Sequence, residues 1–231
     1  MSLQEARTIQ DALRATLSLP MFLAIWAATM ILSEVILFFD LYRKNAHLMS
    51  LMKMVWVLTV AYSGPIGLMI YWLTGRKEIR SDSLWRRSFR SVAHCYSGCG
   101  LGEIVGVFIA AGIFSLGNLA VSGITFVLAY VAGYALTIGP LVQDGVPLRT
   151  AMRDAVISET PSIAVMEIVA IAVDLLLARK AVISEPLFWS SLIVSLTAGL
   201  IAAYPVNVLL LHFGVKEGMM DPRNTGADHT K

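Results

Sequence analysis

Apolar residues in this chain come in long runs rather than in short alternating stretches. Six such runs contain few charged residues, and they cover positions 19–41, 48–73, 92–116, 119–139, 158–177 and 188–213. A helix needs about 20 apolar residues to cross a bilayer, because the hydrocarbon core is about 30 Å thick and each residue rises 1.5 Å. The pattern therefore predicts an all-α, polytopic membrane protein with about six transmembrane helices in a bundle.

Polar segments divide the chain into five predicted parts. Residues 1–18 carry spaced apolar positions among polar ones, which indicates a short amphipathic helix on the membrane surface. A two-helix transmembrane hairpin follows at 19–74, and a basic loop at 75–90 separates it from a four-helix transmembrane module at 91–213. The polar tail at 214–231 is predicted to be disordered.

Basic residues are distributed unevenly between the loops of this predicted topology. Six spans place both termini on one side, which would then hold thirteen Lys and Arg residues against four on the other, with Lys53 inside a span. Short cytoplasmic loops carry an excess of Lys and Arg. The sequence thus predicts a multi-pass membrane protein with both termini in the cytoplasm.

The composition excludes most soluble classes of protein. Of 231 residues, 57% are hydrophobic and 15% are charged, and the mean hydropathy is +0.70. A soluble globule cannot hide that much apolar surface. The net charge of +2 does not favour binding to nucleic acid, and two cysteines exclude a disulfide scaffold.

Glu34 and Lys53 are the first ionisable residues inside predicted spans. They lie ten residues before and nine residues after Lys44, the centre of the predicted turn between the first two spans. Because charges inside a bilayer are costly, we expect the two side chains to form a buried ion pair that fixes the register of the hairpin.

The third predicted span carries both cysteines of the chain. Cys95, Cys99 and Glu103 are spaced four residues apart, so they share one face of a helix. Two thiols one turn apart suit a soft metal ion such as Cu(I). The alternative is that both cysteines are small buried hydrophobic residues without a ligand.

A second stripe of the same helix contains small residues and starts with a histidine: His94, Gly98, Gly102, Gly106 and Ala110. Small residues at this spacing let another helix approach closely. We expect the stripe to pack against the fourth span, which a short turn at Gly117 and Asn118 holds alongside in an antiparallel hairpin.

The last two spans add further candidate ligands. Glu167 lies midway along the fifth span, and the sixth contains Asn207 close to Pro205 and ends near His212. Pro205 frees a backbone carbonyl, which either bends the helix or coordinates an ion. The predicted metal-binding set contains seven residues, and no catalytic residue is predicted: Cys95, Cys99, His94, Glu103, Glu167, Asn207 and His212.

Three stretches of this sequence resemble an uncharacterised bacterial family, a numbered domain of unknown function that forms a four-helix membrane module. They read H-C-Y-S-G-C-G-L-G-E at 94–103, M-E-I at 166–168 and A-Y-P-V-N-V-L-L-L-H-F-G-V-K-E-G-M at 203–219. The resemblance covers about residues 91–220 and leaves the first two spans outside. The family often has Asp where this chain has Glu103. Its members are bacterial and are often linked with copper, so the resemblance implies the inner membrane of a bacterial cell as the location and copper as the ion.

Three functions remain open at this point. The first is binding or transport of a soft metal ion, most simply Cu(I), by the thiol pair. The second is an assembly module that docks a partner membrane protein or a second copy of the chain. The third is a membrane enzyme with a thiol nucleophile. This is the weakest of the three hypotheses, because the sequence shows no arrangement of a general base and oxyanion donors. In each case the lipid bilayer is the surrounding solvent, and nucleic acid is not a partner.

Overall fold

The computed structural model describes residues 3–143, 145–219 and 221–223. The described residues form eight α-helices and no strand, which confirms the predicted all-α class. The helices are α1 (Leu3–Leu17), α2 (Pro20–Arg43), α3 (Ser50–Ser63), α4 (Pro65–Thr74), α5 (Leu84–Val107), α6 (Asn118–Gln143), α7 (Leu148–Leu177) and α8 (Pro186–His212). A π-helical segment, Phe108–Ile113, continues α5.

Five of these helices are long and apolar enough to cross a membrane: α2, α5 with its π-helical continuation, α6, α7 and α8. Most of α2 is exposed, whereas more than half of the apolar window of α5 is buried. The chain is therefore a multi-pass membrane protein in which α5 is the central helix. The predicted count of six is not reached because the run at 48–73 does not form one continuous helix.

That run forms a hairpin of two short helices, α3 and α4. The chain breaks at Gly64, whose φ of +54° is a conformation that other residues rarely adopt, and α4 begins at Pro65. The rings of Trp56 and Tyr71 are 5.3 Å apart, although 15 residues of continuous helix would separate them by about 22 Å. The chain therefore enters the bundle along α3 and returns along α4, as a re-entrant hairpin.

Polar contacts fasten the open end of this hairpin to the end of α2. Asp40 accepts hydrogen bonds from the Tyr71 hydroxyl at 2.8 Å, from Asn45 Nδ2 at 3.0 Å and from Arg76 at 2.9 Å. Tyr71 and Arg76 stand at the end of α4, so this end of the hairpin lies level with the end of α2. The predicted second span would have placed Arg76 on the far side of the membrane.

The predicted ion pair between Glu34 and Lys53 is wrong. Lys53 lies in the first turn of α3 and donates to the carbonyl of Ala46. Glu34 lies nine residues before the end of α2, and its carboxylate oxygens have no hydrogen-bond partner among the described residues. The prediction placed Lys53 at the depth of Glu34, nine residues beyond the turn, but residues 45–49 form a connecting segment, so Lys53 lies only three residues into α3.

The four-helix module is held together by close contact between α5 and α6. A Cβ added to Gly102 would lie 2.4 Å from the backbone of Leu128, and one added to Gly98 would lie 2.7 Å from the Cα of Gly133. The glycine stripe therefore packs against the next helix, as predicted. The module starts earlier than expected, because α5 begins at Leu84, inside the predicted loop at 75–90.

The described chain ends lie at opposite ends of the bundle. Side chains of α1 bond to the last turn of α7, through Gln10 to Leu176 O and Arg14 to Leu177 O. Residues 214–219 lie at the other end, where Arg90, near the start of α5, donates to Met219 O. Five candidate spans thus separate α1 from residues 214–219, whereas the predicted location of both termini on one side rested on six.

We call the end that carries residues 43–53, 75–90, 145–153, 212–219 and 221–223 the basic end, and the other the opposite end. Thirteen of the described Lys and Arg residues lie at the basic end, and four lie at the opposite end. Those four are Arg7, Arg14, Arg179 and Lys180.

The segment after α8 is packed where disorder was predicted. Lys216 is buried and forms an ion pair with Glu159, and Met219 contacts the hydrophobic core. The ion pair between Lys216 and the buried Glu159 carboxylate holds the segment in place. Hydropathy alone does not predict such a pairing. Positions 224–231 of the predicted tail lie outside the described residues.

Candidate functional site

The two thiols lie in the interior of the module, facing α7. Cys95 and Cys99 are free and buried, with 2% and 0% of their surface exposed. The Ser162 hydroxyl lies 3.6 Å from the Cys95 sulfur. Cys99 interacts with both Cys95 and Glu167. Glu167 is on α7, two turns beyond Glu159, so the predicted inward orientation of the thiol face is confirmed.

A chain of hydrogen bonds leads from the thiols toward the basic end. Asn207 on α8 donates to the Ser162 hydroxyl at 2.6 Å and accepts from Ser91 at 2.9 Å. Lys216 donates to Asn207 Oδ1 at 3.3 Å and to Glu159 Oε2 at 2.6 Å. All of these side chains are buried. They connect α5, α7, α8 and the segment after α8 into one polar network, which we call the basic-end network.

This network borders a cavity of about 550 Å³ at the basic end. His94, Thr137, Glu159 and Lys216 are among its lining residues. The Thr137 hydroxyl lies 3.4 Å from His94 Nε2 and donates to Glu159 Oε1 at 3.3 Å. His94 thus faces α6 and the cavity, and its Nδ1 atom has no partner within the described part of the chain.

Two glutamates lie deeper in the bundle with incomplete bonding. Both carboxylate oxygens of Glu167 and the Oε2 atom of Glu103 are buried without a hydrogen-bond partner of normal geometry in the described residues. Glu103 interacts electrostatically with Glu167 and with Asp174. An ionisable side chain without a partner at this depth is costly and marks a functional position.

Two further cavities lie toward the opposite end. The smaller has a volume of about 30 Å³, and Glu103, Ser122, Thr125 and Asp174 are among its lining residues. The larger has a volume of about 290 Å³, and Ser122 and Asp174 line it as well. Asp174 accepts a hydrogen bond of 2.8 Å from Ser191 on α8. A series of polar side chains thus extends through the bundle, from the basic-end network past the thiols and Glu167 to Glu103 and Asp174 near the opposite end.

The structure brings together only part of the predicted metal-binding set. Cys95, Cys99 and Glu167 are neighbours, and Asn207 reaches them through Ser162. Among the described residues, no group of three or more His, Cys, Asp or Glu side chains is arranged to hold a metal ion.

The remaining predicted ligands lie elsewhere. Glu103 extends toward Asp174, and His94 faces Thr137 on α6. His212 is exposed and lies against the ring of Phe213 at 5.1 Å. It does not lie with the thiols, because the last turn of α8 places it on the outer surface of the helix.

Sequence reasoning missed the polar partners of the predicted residues. Lys216 carried a signal, since it stands in the stretch G-V-K-E-G-M, but the polar tail around it was assigned to disorder. Ser162, Ser91 and Thr137 gave no signal, because serine and threonine are common in apolar helices and bond to their own backbone there. Only the packing of α5 against α7 and α8 shows that these hydroxyls link the ionisable groups.

A comparison with protein families finds one match to this chain. The family described as Domain of unknown function (DUF4396) matches residues 84–216, which is more than half of the chain. The match begins at the first residue of α5 and ends at Lys216. It therefore covers the whole four-helix module and the buried lysine. No curated protein and no solved structure is similar to the chain at a significant level.

Proposed function

The chain belongs to the family DUF4396, a domain of unknown function, and we propose from its geometry that it transports a soft monovalent metal ion, Cu(I), bound between Cys95 and Cys99. One observation carries this proposal. The only two cysteines of the chain are neighbours inside a membrane bundle, where a buried network of polar side chains leads to them from an open cavity.

The donor set favours a soft ion of low coordination number. Thiolates select Cu(I) and related soft ions, and Cu(I) is satisfied by two sulfur ligands, whereas Zn(II) takes four ligands in structural sites. Two thiols without a third ligand of the same kind therefore suit Cu(I) better than Zn(II). The metal ion in this proposal is the transported substrate.

Glu167 supplies the proton chemistry that such binding needs. Thiols must lose their protons to bind a metal ion, so binding releases protons inside the bundle. The Glu167 carboxylate lies beside Cys99 and has no hydrogen-bond partner of normal geometry in the described residues. In our proposal the ionised Glu167 carboxylate accepts the proton of Cys99 when the ion arrives and returns it when the ion leaves, and the proton of Cys95 passes to water in the basic-end cavity.

The distribution of charge supports an orientation in the membrane. Because short cytoplasmic loops carry the excess of Lys and Arg, the proposal places the basic end in the cytoplasm of a bacterial cell and α1 on the outer face of the inner membrane. The basic-end cavity then opens to the cytoplasm.

Labelling of single cysteines tests this orientation. In a Cys95→Ser/Cys99→Ser background, Arg7→Cys should react with a membrane-impermeant maleimide in intact spheroplasts, and Arg80→Cys should react only after lysis. Arg7 lies on α1, and Arg80 lies between α4 and α5. Equal labelling of both positions in intact spheroplasts would contradict the five-span topology.

A competition titration tests the binding proposal. Purified protein in detergent is titrated without oxygen against a chromogenic Cu(I) chelator. The wild type should bind about one equivalent, and Cys95→Ser and Cys99→Ser should each weaken binding at least about a hundredfold, because the site has only two sulfur ligands. Affinity should also fall as the pH is lowered, because the thiols must release protons.

Leu101→Ala is the matched control for this titration. Leu101 lies on the same helix, between Cys99 and Glu103, but its side chain is exposed at 42%. Its removal should leave Cu(I) affinity unchanged. If both thiol variants bind as tightly as the wild type, the proposed site does not exist.

A second candidate function is membrane assembly without transport, and α2 favours it. Only 11% of the apolar window of α2 is buried, and Glu34 stands in the middle of the helix without a partner in the described residues. The exposed apolar face of α2 offers a neighbouring membrane protein or a second copy of the chain a surface to pack against. The two functions separate experimentally: Ile31→Ala/Val35→Ala, on that exposed face, should alter the oligomeric state if α2 is an interface, and Cu(I) affinity should not change.

A further inference from the structure

The small cavity beside Glu103 has a chemistry unlike that of the thiol pair. Every polar group that lines it offers oxygen: the carboxylates of Glu103 and Asp174 and the hydroxyls of Ser122 and Thr125. Hard cations prefer oxygen ligands, and soft ions prefer sulfur. We propose that this cavity is a binding site for a dehydrated Na⁺ ion, separate from the thiol pair.

The state of Glu103 is the first observation behind this proposal. Its side chain is 5% exposed, it lines the cavity, and its Oε2 atom has no partner in the described residues. Buried polar atoms in folded proteins nearly always have a partner. A cation in the cavity would supply the missing one.

The size of the cavity favours a small ion with few ligands. Its volume is about 30 Å³, and a single water molecule needs about 10–15 Å³ on this measure. A hydrated ion does not fit. Ca²⁺ takes six to eight oxygen ligands and Mg²⁺ usually keeps several waters, which this space does not provide. Na⁺ carries a single charge, so it loses its hydration shell at much lower cost than these divalent ions, and the bare ion fits the cavity.

The charges in and around the cavity are consistent with a monovalent cation. One Na⁺ ion and one proton shared by Glu103 and Asp174 leave no net charge on this pair of carboxylates, which matters because uncompensated charge in a bilayer is costly. Ser191 donates to Asp174 Oδ1 at 2.8 Å and so fixes that carboxylate. Lys180 is the basic residue that lines the adjoining larger cavity, and its side chain is exposed.

The larger cavity provides a route to the site. It has a volume of about 290 Å³, shares Ser122 and Asp174 with the small cavity, and lies at the opposite end of the bundle. Asp174 is partly exposed, whereas Glu103 is buried. An ion entering from the opposite end would therefore meet Asp174 first and Glu103 second.

Thermal unfolding in Na⁺ tests this site independently of the thiol pair. Purified protein in choline chloride is titrated with NaCl, and KCl at the same ionic strength serves as the reference. We expect the Tm to rise with Na⁺ and not with K⁺, because a ligand that binds only the folded state stabilises it. Glu103→Gln and Asp174→Asn should abolish the rise. Ser122→Ala, a milder change, should raise the Na⁺ concentration for half-maximal shift severalfold.

Two controls separate this site from other effects. Glu34→Gln removes another carboxylate without a partner, one that lies on α2 outside the cavity, and should keep the full Na⁺ response. Cys95→Ser/Cys99→Ser should also keep it, whether or not the thiols bind Cu(I). The proposal fails if the wild type shows no Na⁺ response, if K⁺ or Ca²⁺ gives the same response, or if Ser122→Ala and Glu103→Gln respond like the wild type.

Discussion

Two groups of polar side chains in the four-helix module are equally buried but differently bonded. In the basic-end network, Lys216, Glu159 and Asn207 complete one another's hydrogen bonds across three parts of the chain. Deeper in the bundle, Glu103 and Glu167 keep carboxylate oxygens without a partner in the described residues. Both groups are buried inside the bundle, so the difference lies in their bonding and not in their exposure.

We infer that the fully bonded group stabilises the fold, whereas the incompletely bonded carboxylates are free to bind the ions proposed above. A fully bonded network is expensive to break, because removal of one member leaves its partners buried and unpaired. An incompletely bonded carboxylate already carries that cost in the folded protein, so its replacement by a neutral side chain costs little. Stability measurements on matched variants can therefore test which residues belong to which group.

The largest effect is expected from Lys216→Met. Methionine keeps the apolar stem but removes the ammonium group, which leaves Glu159 buried without its partner at 2.6 Å. The loss of stability should be about 3–5 kcal/mol, seen as a lower Tm of the purified protein. Lys77→Met, at an exposed position of the same end, should change stability by less than about 0.5 kcal/mol.

A double variant sharpens this prediction. Lys216→Met combined with Glu159→Gln removes both charges and should recover part of the lost stability, because no buried charge is then left unpaired. A Tm that stays at the wild-type value in Lys216→Met would show that the segment after α8 does not pack as described.

A smaller effect is expected from Asn207→Leu. The Asn207 side chain bonds to Ser91, to Ser162 and to the carbonyl of Ala203. Leucine has a similar size but cannot bond, so the exchange should cost about 1–3 kcal/mol. Ser190→Ala is the matched control, since Ser190 is a buried residue of the same helix whose hydroxyl has no partner in the described residues. Equal losses in both variants would mean that bonding does not distinguish them.

The smallest effect is expected from Glu167→Gln. Glutamine has nearly the same shape and is neutral, and no hydrogen bond of normal geometry is lost within the described residues. The free energy of unfolding should change by less than about 0.5 kcal/mol. Glu159→Gln, the same exchange two turns earlier on α7, should destabilise clearly. A reversed order of these two variants would contradict the division into bonded and unbonded groups.

Much of the fold follows from hydropathy, and the failures have physical reasons. Long apolar runs predict spanning helices because the bilayer fixes their length, and the glycine stripe predicted its contact with α6 correctly. The run at 48–73 was wrongly predicted to be a span, because its total length is that of a helix long enough to cross the bilayer. Gly64 and Pro65 stand near its middle, yet they do not reveal whether the chain continues across or turns back.

The site was predictable only at the residues whose chemistry is unusual in a membrane. The thiols and Glu103, Glu167 and Asn207 stand out in apolar helices, and the structure places all of them inside the bundle. Their hydroxyl partners could not be identified, because the sequence does not show whether a serine or threonine in a helix faces lipid or a neighbouring carboxylate. Contacts between distant parts of the chain, such as Lys216 with Glu159, depend on tertiary packing that sequence spacing does not contain.

The central claim is that the thiol pair carries a soft ion through the module, and a flux measurement tests it most directly. Proteoliposomes holding a trapped Cu(I) indicator are prepared with the wild type, with Cys95→Ser/Cys99→Ser and with Leu101→Ala, at equal protein content. The account predicts Cu(I) entry with the wild type and with Leu101→Ala, and entry at the level of empty liposomes with the thiol-free variant. Entry that is equal with and without the thiols, or no entry with the wild type, would contradict it.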